Sequence, residues 1–276
     1  MSNTIKAVLF DLDGTLLPMD NDDFTKHYFG ALAALFPQIP ARELIGCILA
    51  AVEDITKQPG GDTNEAKFAR AFTARLNRGS WEDMLPIFNR FYESEFDQLG
   101  VHFPPAPGAR LAVDKARQKG YRIALATNPI FPRAATLFRL RWAGFAPDEF
   151  EVITAYEDTC ACKPHAAYYH EVLARMGGGL LPAQCAMVGN DVREDILPAK
   201  KLGMQTFFLN DCPLNTDFAD SLDGIAHETA KDPKKTDEVG NEGCDEGRGK
   251  ALKKTGEARG SWEALMAAMD AWENLG

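Results

Sequence analysis

From residue 107 onward, short runs of β-forming apolar residues alternate with amphipathic stretches, and few features narrow the folds open to a chain more than this. The β-type runs are 121–126, 150–154, 185–188 and 205–209, and 6–10 near the N-terminus makes a fifth. Amphipathic stretches at 108–119, 132–142, 166–176 and 194–202 lie between them, and Gly120, Gly144, Gly177 and Gly203 stand just past their last turns, where helices commonly end. Alternating strands and helices with short connections predict a doubly wound parallel α/β sheet covered on both faces. Ligands of such sheets bind outside the carboxyl ends of the strands.

Residues 17–106 break the alternation and read as helices only, at 22–36, 41–56, 63–78 and 81–99, separated by Pro37 to Pro40, Pro59-Gly60-Gly61 and Gly79-Ser80. Apolar residues recur at threes and fours, as in Phe24, Tyr28 and Leu32, or Phe68, Phe72 and Leu76. An all-helical domain inserted after the first strand is expected. The aromatic set Trp81, Phe88, Phe91, Tyr92 and Phe96 has helical spacing and reads as bundle core in preference to a binding stripe. The expected organisation is therefore a core of 1–16 plus 107–276 and a helical domain of 17–106. Within the core, residues 228–259 carry eight Lys and Arg against eight Asp and Glu with almost no large apolar residue, so a solvated, mobile insert is expected there. A short terminal helix should follow, with Ser261 as N-cap and Trp262, Leu265, Met266 and Met269 on one face.

Ten more acids than bases give a net charge of −10, which disfavours nucleic acid and anionic membranes as partners. No apolar run approaches the roughly 20 residues of a bilayer span, and the N-terminus meets Asp11 and Asp13 before a signal core could form, so the expectation is a cytoplasmic protein. The six cysteines form no C-x-x-C pair and read as reduced thiols; Cys160 and Cys162, one residue apart, are a weak candidate for a metal or redox pair.

The chemistry concentrates at strand ends. The first strand runs into Asp11-Leu12-Asp13-Gly14-Thr15, an Asp-x-Asp-Gly-Thr motif. In extended backbone the two carboxylates fall on one side about 6.6 Å apart, suitable for one to attack phosphorus while the other serves the leaving group. Gly14 permits a sharp turn and the Thr15 hydroxyl can tie it. The 121–126 strand ends in Thr127-Asn128, a hydroxyl and an amide able to donate to phosphate oxygens. Lys163-Pro164 precedes the helix at 166, and the 185–188 strand runs into Gly189-Asn190-Asp191 with Asp195 four residues on. Singly, each element has a bland reading as turn residues, a surface charge or helix N-terminal charges.

In this order, the four elements make the chain resemble the haloacid dehalogenase (HAD) superfamily of hydrolases with a helical cap, in particular phosphoglycolate phosphatases. The resemblance covers nearly everything except the charged insert. It implies a HAD-like Rossmannoid core, with Asp11 as the nucleophile that becomes an aspartyl-phosphate and Asp13 as general acid and base. Thr127 and Lys163 would hold the transferring phosphoryl group, with Asn128 assisting. Mg2+ would be bound by the Asp11 carboxylate, the Asp13 backbone carbonyl and Asp191, with Thr15 supporting the turn and Asp195 lying beside the metal or orienting Lys163. Two like charges 4 Å apart at an effective dielectric near 20 repel by roughly 4 kcal/mol. Four gathered acids therefore need a divalent cation and Lys163 before they can accept a phosphate ester, and hard oxygen donors suit Mg2+.

Dehalogenases of this type lack the second aspartate and phosphonatases also depart there, so Asp13 points to a phosphatase acting on a small phosphorylated metabolite. A sugar-phosphate mutase keeps the same motifs, and a non-catalytic binding protein could keep the scaffold. His165 stands where relatives often have a second proline. Cap contacts to substrate are sought at the 59–64 turn and the Pro18-Met19-Asp20 hinge. Thr63 and Asn64 are candidate specificity residues, with helix capping by Thr63 the competing reading. His27, His102, His165, His170 and His227 show no ligand spacing.

Overall fold

The residues of Ala7–Phe10 are apolar throughout and buried on both faces, the pattern of a central parallel strand. They form β1, at the middle of a six-stranded parallel sheet in a computed structural model that describes residues 4–210 and 258–272. The other strands are β2 (Arg122–Leu125), β3 (Val152–Ile153), β4 (Cys185–Gly189), β5 (Gln205–Leu209) and β6 (Ala258–Gly260), in the order β3-β2-β1-β4-β5-β6. Phe10 is in register with Leu125 on one side and Val188 on the other. The chain builds outward from β1 to β3 and then crosses back to β4, so the strand order reverses at β1 and a crevice opens beyond its carboxyl end.

Helices cover the sheet. Those packed on it or near its ends include α5 (Pro107–Gln118), α6 (Arg133–Trp142), α7 (Ala166–Met176) and α8 (Leu197–Lys201). Between β1 and β2 lie α1 (Asn21–Ala34), α2 (Ala41–Lys57), α3 (Asn64–Leu76) and α4 (Trp81–Arg90). The expected helix over 81–99 ends at Arg90 and continues as a π turn, Phe91–Glu95, and a 3-10 segment, Phe96–His102. Capping follows side-chain chemistry: Asp20 Oδ1 accepts from Asp23 N at 2.8 Å at the start of α1, and a Ser80–Asp83 capping box opens α4.

Two expectations change here. The insert cannot extend to residue 259, because Ala258–Gly260 pairs in parallel with Phe207–Leu209 as a sixth strand. Three residues with one large side chain among them carry too little periodicity to mark a strand. The rest of the insert, Cys244 included, lies outside the described residues, as do Cys212 and His227. The helix expected over 194–202 is instead a π turn, Val192–Ile196, followed by α8.

The terminal helix Trp262–Trp272 buries Trp262, Leu265, Met269 and Trp272. Tyr121 donates to the Met269 carbonyl at 3.2 Å, and a Cβ at Gly108 would fall 2.2 Å from Trp262 Cδ1, so α5 needs glycine where the indole lies across it. Among the described residues no helix is long and apolar enough to cross a membrane.

Candidate active site

Because β1 lies between β2 and β4, residues just past the three strand ends converge. Asp11 N donates to Val188 O at 2.9 Å and Ala126 N donates to Phe10 O at 2.7 Å, which fixes Asp11 between the two neighbouring loops. Asp11 is 6% exposed, and its carboxylate is held on both oxygens: Lys163 Nζ lies 2.7 Å from Oδ1, and the Thr15 hydroxyl lies 3.1 Å from Oδ2. That hydroxyl is also 3.0 Å from Asn190 Oδ1, so Thr15 ties the β1 and β4 loops together. Gly14 has φ +81°, and a Cβ there would meet Asn190 Nδ2 at 2.3 Å, so both backbone conformation and close approach require glycine.

Lys163 is buried and bridges two acids, with Asp195 Oδ1 at 2.6 Å. Burial alone would pull its ammonium down, but Asp11 and Asp195 outweigh that and hold its pKa well above the usual lysine value. Asp195 is brought to the lysine by the π turn. Asp191 accepts at Oδ1 from Arg193 N at 2.7 Å and Glu194 N at 2.8 Å, and Ile196 N reaches back five residues to Asp191 O. The widened turn aims the Asp195 carboxylate back at Asp191 N, 3.0 Å away, and a Cβ at Gly189 would fall 2.2 Å from Asp195 Oδ2. Burial raises the Asp195 pKa, and Lys163 opposes it.

Asp13 is paired with Arg139, a residue of α6. Burial pushes the Asp13 carboxyl above the usual range, the guanidinium opposes this, and Asp11 adds to it. Arg139 itself lies 4.5 Å from the Phe131 ring centroid, with its guanidinium over the face. Nothing in the motif pointed to Arg139. Its position did carry a signal, since it shares the buried face of α6 with Ala135, Thr136 and Leu140, where an arginine is out of place unless paired.

Thr127 is 2% exposed at the end of β2, its carbonyl held by Thr154 Oγ1 at 2.7 Å and Tyr168 Oη at 2.9 Å. Asn128 holds loops together instead of projecting both polar ends toward a ligand: Lys163 N donates to its Oδ1 at 3.2 Å, and its Nδ2 donates to Glu194 Oε2 at 3.1 Å. Glu194 is a further site acid that the strand-end pattern did not single out. Burial raises its pKa, Lys163 opposes, and Asp191 and Asp11 add to the rise.

The candidate cap contacts fall elsewhere. Thr63 Oγ1 accepts from Ala66 N at 3.3 Å as the N-cap of α3. Asn64 is fully buried and donates to Pro129 O at 3.1 Å, while Lys67 Nζ donates to Cys160 O at 2.6 Å and Gln58 O at 2.8 Å. Neither Thr63 nor Asn64 lines the cavity beside Asp13, which is bounded instead by Met19 of the hinge and, from the aromatic set, by Trp81, Phe88 and Tyr92. These rings therefore serve as wall as well as core. The 58–67 segment fastens the helices to the loop that leads into Lys163. Cys160 and Cys162 are free thiols, and burial pushes Cys162 up to about 12, far from a thiolate.

Among the described residues no trio of His, Cys, Asp or Glu side chains is arranged to hold a metal ion. The expected set needs only two such side chains, Asp11 and Asp191, plus the Asp13 carbonyl. The donor chemistry fits Mg2+: hard oxygens, few in number, with Asp11, Asp191, Glu194 and Asp195 gathered around Lys163 while the Arg139 guanidinium is paired with Asp13.

Comparison with known proteins bears on the family. The family model "Hydrolase: haloacid dehalogenase-like hydrolase" matches residues 5–203. A phosphoglycolate phosphatase of Xanthomonas campestris pv. campestris (strain 8004) is 29% identical over 200 residues, covering 72% of this chain and 80% of the relative. A ribulose-1,5-bisphosphate 5-phosphatase of Halopiger xanaduensis is 24% identical over 232 residues, covering 82% and 93%. Among solved structures, the 2-haloacid dehalogenase of Pseudomonas syringae pv. Tomato DC3000 shares the fold at a TM-score of 0.50 and 19% identity, covering 75% of this chain and 86% of that one.

Proposed function

The chain belongs to the haloacid dehalogenase-like hydrolase family, and from that premise we propose that it is a Mg2+-dependent phosphatase of a small phosphorylated metabolite working through an aspartyl-phosphate. Relatives named for phosphoglycolate and ribulose bisphosphate support that substrate class. The observation that carries the reading is the buried Lys163 ammonium 2.7 Å from Asp11 and 2.6 Å from Asp195. A carboxylate so held is fixed in orientation, as a nucleophile in an in-line displacement requires.

Asp11 attacks phosphorus as the ester P–O bond breaks, and Asp13 protonates the departing oxygen. Burial keeps Asp13 protonated further up the pH scale than an exposed aspartate, as a general acid needs. Arg139 donates to Asp13 Oδ2, so the transferable proton belongs on Oδ1. In the second half, the Asp13 carboxylate takes a proton from the water that attacks the aspartyl-phosphate, releasing inorganic phosphate and restoring Asp11. Lys163 and the Thr127 hydroxyl offer donors to the phosphoryl oxygens, and Thr15 and Asp195 hold the nucleophile and the lysine in register. Asp11, the Asp13 carbonyl and Asp191 would hold Mg2+, which would supply positive charge to the phosphoryl oxygens. The helices between β1 and β2 act as a cap that excludes water from the leaving group.

Asp11→Asn should abolish phosphate release from p-nitrophenyl phosphate with Mg2+ present. Retention of more than a few per cent of wild-type turnover sinks the mechanism.

A further inference from the structure

A cavity of about 320 Å3 lies between α1, α2 and α4 on one side and the loop after β2 on the other, and Asp13 stands on its wall. The volume is near the lower end of small-molecule pockets, roughly 300–1,000 Å3. Its lining is mostly aromatic and aliphatic, with Phe24, Phe29, Trp81, Phe88 and Phe131 among its rings, and Asn21, Thr25 and Tyr156 add uncharged polar groups. Two charged residues line it among the described ones, Asp13 and Arg139, and they are paired with each other. The phenols of Tyr28 and Tyr92 lie 2.8 Å apart and bond to one another.

A leaving group that carried a carboxylate or a second phosphate would have to shed its water here, and the sole cation on the wall is already engaged by Asp13. An aromatic group would lose nothing polar and would meet ring faces and edges at stacking distance. Granting the phosphatase reading above, we propose that this cavity is the leaving-group subsite and that the substrate is a phosphate monoester of an aromatic alcohol. The ester P–O bond breaks as the P–O bond to Asp11 forms, and the Asp13 proton passes to the released oxygen. The neutral alcohol is left against the apolar wall. Leu49, 52% exposed and part of the lining, marks the way in from solvent.

The test compares kcat/KM for benzyl phosphate, 2-phosphoglycolate and acetyl phosphate in the presence of Mg2+. The first two release primary alcohols, and acetyl phosphate has too small a leaving group to fill the cavity. Benzyl phosphate should exceed 2-phosphoglycolate at least tenfold. Leu49→Glu, a substitution at a half-exposed position, should lower the ratio of benzyl to acetyl phosphate turnover at least fivefold. Equal or better use of 2-phosphoglycolate, or an unmoved ratio, overturns the subsite. If none of the three is hydrolysed, the phosphatase reading fails on its own. The cavity is then judged by calorimetric titration of 2-naphthol into the Asp11→Asn protein, where saturable binding weakened by Leu49→Glu upholds it and no binding overturns it.

Discussion

Arg139 reaches from the inner face of α6 to the carboxylate of Asp13, and its side chain is 1% exposed against 22% for its partner. The acid and its buried cation both border the cavity. Burial raises the Asp13 pKa and Arg139 draws it back, so the pair sets where the acid titrates.

Arg139→Met removes the opposing charge, and the Asp13 pKa should climb further. Protonated Asp13 is the form needed for leaving-group departure, so activity falls as pH rises through that pKa. In the variant, the alkaline limb of kcat/KM should move to higher pH, with kcat reduced by about tenfold or more. A pH–rate profile with its inflection in the wild-type position would show that Arg139 does no more than fill space.

Lys163→Met should cost about 3–5 kcal/mol at pH 8, because Asp11 and Asp195 stay buried without their cation. Asp195 is already raised in the folded state relative to the roughly 3.9 of an unfolded aspartate. Losing the lysine raises it more. A raised acid favours the protonated fold, so the penalty should be largest at high pH and shrink as pH falls through the folded pKa. Thermal melts of both proteins at pH 8 and pH 5.5 measure this, and a gap in Tm that is the same at both pH values contradicts it.

Asn64→Ala should act on the seating of the helices and not on substrate choice. The buried amide leaves the Pro129 carbonyl without its donor, at a cost of about 1–3 kcal/mol. The kcat/KM values of a panel of phosphate esters should fall by a common factor. A loss confined to some esters would return Asn64 to contact with the leaving group.

Much of this architecture is legible in the residues, and the gaps have local causes. The alternating pattern and the glycines after helices mark five strands because each run is four or more residues with a clear breaker, except β3, where only Val152–Ile153 forms ladder bonds. β6 escapes because three residues carry no period. Asp11, Asp13, Lys163 and Asp195 can be picked out because each is a charged residue just past a strand end or turn. Arg139 and Glu194 cannot be picked out that way: the one is a helix-interior residue and the other looks like an ordinary first-turn acid, and only tertiary packing brings them to the site. Asn64 misleads for a related reason. A polar residue in a proline- and glycine-rich turn looks exposed, yet it is the point where that turn is nailed to the Pro129 and Ala161 carbonyls.

β6 also limits how this chain can be shortened. Leu209 is in register with Gly260 and Phe207 with Ala258, so the two strands run the same way. A chain leaving the top of one must return to the bottom of the next, which takes a crossover of a dozen or more residues and is closed to a two-residue turn. Trimming 211–257 to a tight loop would therefore cost the edge strand and, with it, the anchorage of Trp262 and the terminal helix on α5, however dispensable the deleted residues are in themselves.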